Sequence, residues 1–222
     1  YGKVGPASYV VAVQNGGVSR LRDFNADKSV AARVSWEPAR WLHLSASAMR
    51  TGEIATVADN LSELWFANGF FRAIGPAGRT GVFWASLAEG DAVATWKGGS
   101  LRGALGRVRF DDSDPVADNA RPMRYGYVEL VQGIADKLYG AARYSEIRVP
   151  RGYPLAGWGS MGRYFFAPVL TEELRRFSVG LGYRFGEPLV LKFEYTWESG
   201  RLVRGARRER EDFLGGEIGM KF

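Results

Sequence analysis

Phe213-Leu214-Gly215-Gly216-Glu217-Ile218-Gly219-Met220-Lys221-Phe222 separates by parity into two sets. Leu214, Gly216, Ile218, Met220 and Phe222 form one set, and Gly215, Glu217, Gly219 and Lys221 the other. Period two places each set on its own face of a β-strand, one face apolar and one polar. The segment before it repeats the pattern, with Leu189, Leu191, Phe193, Tyr195 and Trp197 against Lys192, Glu194, Thr196 and Glu198. The next one back does so again, with Phe177, Val179, Leu181, Tyr183 and Phe185 against Ser178, Gly180, Gly182 and Arg184. Gly186-Glu187-Pro188 reads as the tight turn between these two strands.

Working further back, strand-like segments recur at about 138–147, 124–132, 101–110, 92–97, 80–88, 61–71, 41–50, 28–36 and 7–15. Residues 61–71 (LSELWFANGFF) also admit a partly helical reading. The links alternate in length. Short ones fall at Glu37–Arg40, Gly75–Arg79, Lys97–Ser100, Gly133–Lys137 and Gly186–Pro188. Longer ones fall at Gly16–Asp27, Thr51–Asn60, Asp111–Met123, Arg148–Glu173 and Ser199–Glu211. One exception is a short link after Leu87. Short turns on one rim and longer loops on the other are the arrangement of transmembrane barrels. The expectation is an all-β, antiparallel up-and-down transmembrane β-barrel of about twelve strands, forming one domain over residues 1–222. An even strand count would place both chain ends on the short-turn, periplasmic side. A soluble β-sandwich is the competing architecture, and strands near ten residues are long for one.

Composition agrees with that choice. The 222 residues include 29 Gly, 14% aromatics and 24% charged residues, with no Cys, which removes disulfides and thiolate metal sites. Mean hydropathy is −0.19, modest as expected where lipid-facing and lumen-facing residues alternate. No run approaches the ~18–20 apolar residues of a spanning helix. The chain opens at Tyr1 without a signal peptide, so it reads as a processed form or a fragment. The net charge of +6 fits an anion-attracting lumen or contact with lipid phosphates rather than nucleic acid.

At the N-terminal end, Ser8, Tyr9, Val13, Asn15 and Gly16, followed by Asp27, Lys28, Ala31, Ala32, Arg33 and Val34, resemble a strand–loop–strand of the phosphate-selective porin O/P family of Gram-negative outer membranes. Leu138–Ile147 (LYGAARYSEI) resembles a strand of the same family, and terminal Phe222 resembles an outer-membrane assembly signal. The resemblance implies an outer-membrane location, sixteen strands and a homotrimer. This chain would then lack the first strands, or else be a smaller barrel.

Inward parity makes Arg33, Arg107, Arg109, Arg143, Arg184, Lys192, Glu194 and Lys221 the pore-lining candidates, with Glu129, Glu198 and Glu217 on the same faces. A basic loop carries Arg201, Arg204, Arg207, Arg208 and Arg210, suited to small anionic solutes or to lipopolysaccharide phosphates. The alternative for these charges is a solvated wall held by ion pairs. His43, the one histidine, shares a face with Ser45 and Ser47, which raises an acyl-hydrolase reading. Residues two apart on a strand do not meet as a nucleophile–base pair, so no catalytic residue is assigned. Asp111-Asp112-Ser113-Asp114 lacks the spacing of a calcium loop, and no metal or cofactor is expected. The leading expectation is a passive channel for small hydrophilic solutes, with anion preference as the finer point. The rival is a plugged or partner-filled barrel within an outer-membrane complex.

Overall fold

A computed structural model describes residues 1–15, 27–55, 82–112, 120–153, 170–186, 189–208 and 210–220. The expected strand at 61–71, the short link at 75–79, Lys221, Phe222 and residues 113–114 of the acidic loop lie outside them.

Twelve strands form: β1 (Gly2–Val4), β2 (Ala7–Asn15), β3 (Lys28–Ala39), β4 (Leu42–Arg50), β5 (Ile54–Ala55), β6 (Val82–Trp96), β7 (Gly99–Asp111), β8 (Arg121–Gly133), β9 (Leu138–Tyr153), β10 (Thr171–Arg184), β11 (Leu189–Leu202) and β12 (Phe213–Met220). Eleven make one antiparallel meander in sequence order, and β5 pairs beside β6. Among the described residues β1 pairs only with β2, and β12 only with β11, so the sheet is an open wall.

The segments expected at 80–88 and 92–97 are one strand, β6. Glu-Gly-Asp at 89–91 looks like a turn, because Gly beside Asp commonly marks one. Here it is mid-strand: Glu89 pairs with Gly106, Gly90 with Leu105 and Asp91 with Ala104. Merging the two removes the exceptional short link after Leu87, so the short–long alternation holds at every described connection. The meander has an odd number of strands, and β1 runs towards the short turn at Gly5-Pro6. Eleven strands in the meander are thus seen among the described residues, and β1 is only three residues long beside that turn.

Register defines the two faces, since residues directly opposite in an antiparallel pair share a face. Tyr9, Val34, Ala46, Gly90 and Leu105 form one outward row across β2, β3, β4, β6 and β7. Val128, Tyr144, Phe177 and Trp197 form another across β8 to β11. Outward side chains are bare: Leu105 is 76% exposed, Leu214 72% and Ile218 69%. Apolar surface left in water forgoes about 2.5 kcal/mol per ~100 Å², so a face this extended needs an apolar neighbour.

The strands are long, 13 residues in β7 and β8, 14 in β10 and β11, and 16 in β9. A bilayer takes ~9–11 tilted residues, so these strands project beyond it. Along the projecting part the faces invert. Outward positions become Arg107, Arg109, Arg124, Arg148 and Arg175, while Val108, Phe110, Met123, Ile147 and Val149 turn inward. The inward set packs with Ile54, Phe83, Tyr153 and Leu170 into the core, at the long-loop end of the wall. An inversion of this kind is what a sheet shows where water replaces lipid outside it, with apolar groups buried inside as in a soluble sheet.

Candidate functional site

The polar inward face below this core is the candidate site, a wall of mixed charge. In β3, β4 and β6, Arg33 meets Asp91 at 3.1 Å and donates to Ser45 Oγ at 2.6 Å, while Ser45 donates to Asp91. Across β7, β8 and β9, Glu129 accepts from Arg102 Nε at 2.7 Å, with Arg143 at 3.7 Å on its other oxygen. Register makes this triad, because Arg102 and Arg143 lie directly opposite Glu129 on its two neighbouring strands. The Arg143 guanidinium also sits 4.4 Å from the Tyr127 ring centre.

Tyr125 donates to Glu89 from two strands away. It can do so because the intervening β7 residue is Gly106, where an added Cβ would collide with the Tyr125 ring. A second tyrosine covers a glycine lower down: Tyr139 lies over Gly182 and carries Arg184 at 4.7 Å from its ring centre. On β11 and β12, Lys192 meets Glu217 at 3.0 Å, and Glu194 accepts from Thr196 at 3.0 Å.

Of the candidates read from sequence, Arg33, Arg143, Arg184, Lys192 and Glu194 share this inward face. Arg107 and Arg109 do not. They sit on the face of Leu101 and Leu105, opposite Arg124 and Pro122. Val108 and Phe110 suggest an outward parity, but both lie above the inversion, where apolar residues face in. Arg102, Asp91, Glu89, Tyr125 and Tyr127 belong to the site and were not singled out in sequence. A signal for Arg102 existed: it alternates with Leu101, Gly103 and Leu105, in the part of β7 below the inversion.

The basic loop resolves into separate environments. Arg201 is part of β11 and meets Glu173 at 3.1 Å and Glu172 at 3.4 Å. Arg208 is buried, donating to Thr171 Oγ1 at 2.8 Å and lying 3.5 Å from Glu198, itself 1% exposed. Glu198 also takes Arg176 at 2.7 Å. Arg210 meets Asp212 at 3.4 Å. Arg204 and Arg207 remain exposed, on a turn where Arg204 and Gly205 both have φ near +83°. The five arginines are therefore not one anion-gathering loop.

His43 Nδ1 lies 3.3 Å from Glu37, while Ser45 is engaged by Arg33 and Asp91. The two do not form a nucleophile–base pair. Asp111 accepts from Arg109 at 2.7 Å on the outward face. Among the described residues no group of three or more metal-ligating side chains assembles.

This arrangement of antiparallel strands recurs in a known structure. The outer membrane channel DcaP of Acinetobacter baumannii superposes with a TM-score of 0.60 at 11% identity, over 100% of this chain and 60% of DcaP. The fold is that of an outer-membrane β-barrel. The chain spans 60% of the length of the DcaP chain, in keeping with a wall that does not close on itself. The Pseudomonas putida toluene transporter TodX aligns with a TM-score of 0.38 at 12% identity, over 97% of this chain and 69% of TodX. No protein-family model and no curated protein sequence matches the chain. The resemblance to phosphate-selective porins thus narrows to the barrel fold.

Proposed function

We propose that this chain forms part of the wall of a passive channel in the bacterial outer membrane, open to small hydrophilic solutes. The observation that carries the reading is the pairing of faces: a lipid-suited row ending in Leu105, Val128 and Phe177 backs directly onto Arg102, Glu129 and Arg143. A solute that sheds part of its hydration shell meets hydrogen-bonding groups of both signs on that wall.

The charge excess does not concentrate there. Arg33, Arg102, Arg143, Arg176 and Lys192 each face a carboxylate, whereas much of the basic surplus is outward. The anion preference suggested by the net charge is accordingly proposed as weak. The sixteen-strand closure and the trimer implied by the porin resemblance remain part of the proposal. Planar-bilayer recording of the native protein tests it, with stepwise ohmic openings expected and low ion selectivity.

A second reading has its own observation. Phe83, Phe110, Val149 and Tyr153 make the inner face apolar at the long-loop end, as a plug or a threaded partner would require. A filled barrel would insert into bilayers without conducting and would co-purify with its occupant.

A further inference from the structure

Arg107, Arg124 and Arg148 lie directly opposite one another on β7, β8 and β9, on the outward face. Like charges in directly opposed positions destabilise a sheet unless a counter-charge joins them. Neighbouring outward arginines have carboxylates: Arg109 meets Asp111 at 2.7 Å, Arg175 meets Glu173 at 2.6 Å, and Arg148 itself meets Glu146. Among the described residues Arg107 and Arg124 meet none. Beside them a cleft of about 360 Å³ is lined by Pro122, Arg124, Arg148, Arg201, Glu172 and Glu173, and Arg201 pairs with both of these carboxylates.

Height decides what these cations face. Arg107 stands eight residues from Gly99 at the foot of β7, Arg124 nine from Gly133, and Arg148 ten from Leu138. At about 3.4 Å per residue and a tilt of ~40°, that is roughly 20–26 Å above the short-turn rim, the upper edge of an apolar band ~25 Å tall. Leu105, two residues below Arg107 on the same face, is still lipid-suited. The row therefore sits at the headgroup level of the leaflet on the long-loop side, which in an outer-membrane barrel is the outer leaflet.

We propose that Arg107, Arg124 and Arg148 bind a phosphate group of a phosphorylated glycolipid of that leaflet. This rests on the membrane reading above. A phosphomonoester carries close to two negative charges and three acceptor oxygens, and guanidinium groups on adjacent strands can clasp it bidentately. The arrangement accounts for an outward basic row that has no use in the lumen, and it moves the expected lipid contact from the 201–210 loop to the barrel's side.

The test is native mass spectrometry and thermal shift of the detergent-solubilised native protein, titrated with diphosphorylated lipid A. Its dephosphorylated counterpart and inorganic phosphate are run in parallel. The expected result is a lipid A adduct and stabilisation, weakened about tenfold or more in Arg107→Gln/Arg124→Gln, since each charge-assisted bond is substantial. Arg143→Gln, on the other face, should bind as wild type. If the Gln pair folds poorly, Arg107→Lys/Arg124→Lys keeps the charge, and it should bind more weakly than wild type because the bidentate clasp is lost. Undiminished binding by either pair, equal binding of the dephosphorylated lipid, or equal stabilisation by inorganic phosphate would overturn the site. A protein that still inserts into bilayers while failing these arms loses this site alone; failure to insert removes the membrane reading as well.

Discussion

Glu129 shows how much one side chain governs on this wall. It holds Arg102 and Arg143 together, and both cations keep about half their surface open to solvent. Exposed pairs of this kind contribute only ~0–1 kcal/mol each, so their consequence is the local field rather than stability. Glu129→Gln should release two cations into the channel and raise anion-over-cation permeability several-fold, read as a shifted reversal potential in a salt gradient. Arg208 is the opposite case. Its buried guanidinium faces Glu198, so Arg208→Ala should cost about 3 kcal/mol by leaving a buried carboxylate partly uncompensated. Urea unfolding from lipid vesicles would measure that loss. Both residues carry charge, yet only one of them was legible in the sequence. Glu129 was readable because its neighbours Val128 and Leu130 alternate with it. Arg208 was read as a loop cation because the turn returning it to Gly200 and Thr171 depends on long-range pairing.

A single strand, β7, contains the lesson at the next scale. Below its middle, odd residues Leu101 and Leu105 face out; above it, odd residues Arg107 and Arg109 face out with no change of register. What changes is the medium, from lipid to water, so a parity chosen from the apolar residues alone switches sign along one continuous strand. This is why the all-β pattern and the strand positions were legible and the two arginines were not. β6 was divided for a related reason: Glu89 and Asp91 flank Gly90 and imitate a turn, while both acids point to the wall. Position within the membrane should therefore set the cost of substitution. Leu105→Arg, well inside the band, is expected to destabilise by ~2–4 kcal/mol in lipid, whereas the same charge on the inward side should cost much less. Ala104→Arg would add steric crowding and Ser45→Arg would break the Arg33–Asp91 network, so Gln14→Arg, at an exposed inward position of β2, is the cleaner inward comparison for the vesicle unfolding measurement. Gly106→Val should push Tyr125 off Glu89 and disturb the wall without touching the lipid face. A fluorine-labelled tyrosine placed at position 125 would report the loss of the Glu89 contact as a shifted fluorine resonance.

For the whole molecule, eleven strands in sequence order give a continuous wall with lipid-suited and solute-suited sides, while the described residues leave its edges open. Alternating short and long links were legible because they need only local turn chemistry and length. Closure and the content of the lumen were not, because they depend on contacts beyond neighbouring strands. The central claim is that Glu129 lines a water-filled path and Leu105, one strand away, faces lipid. The chain has no Cys, so single cysteines can be placed without background. Planar-bilayer currents of Glu129→Cys and Leu105→Cys should be recorded before and after a membrane-impermeant, positively charged thiol reagent. The account predicts a stepwise fall in current for Glu129→Cys and no change for Leu105→Cys. Block at position 105, or a conducting Glu129→Cys channel that the reagent leaves unchanged, would contradict it.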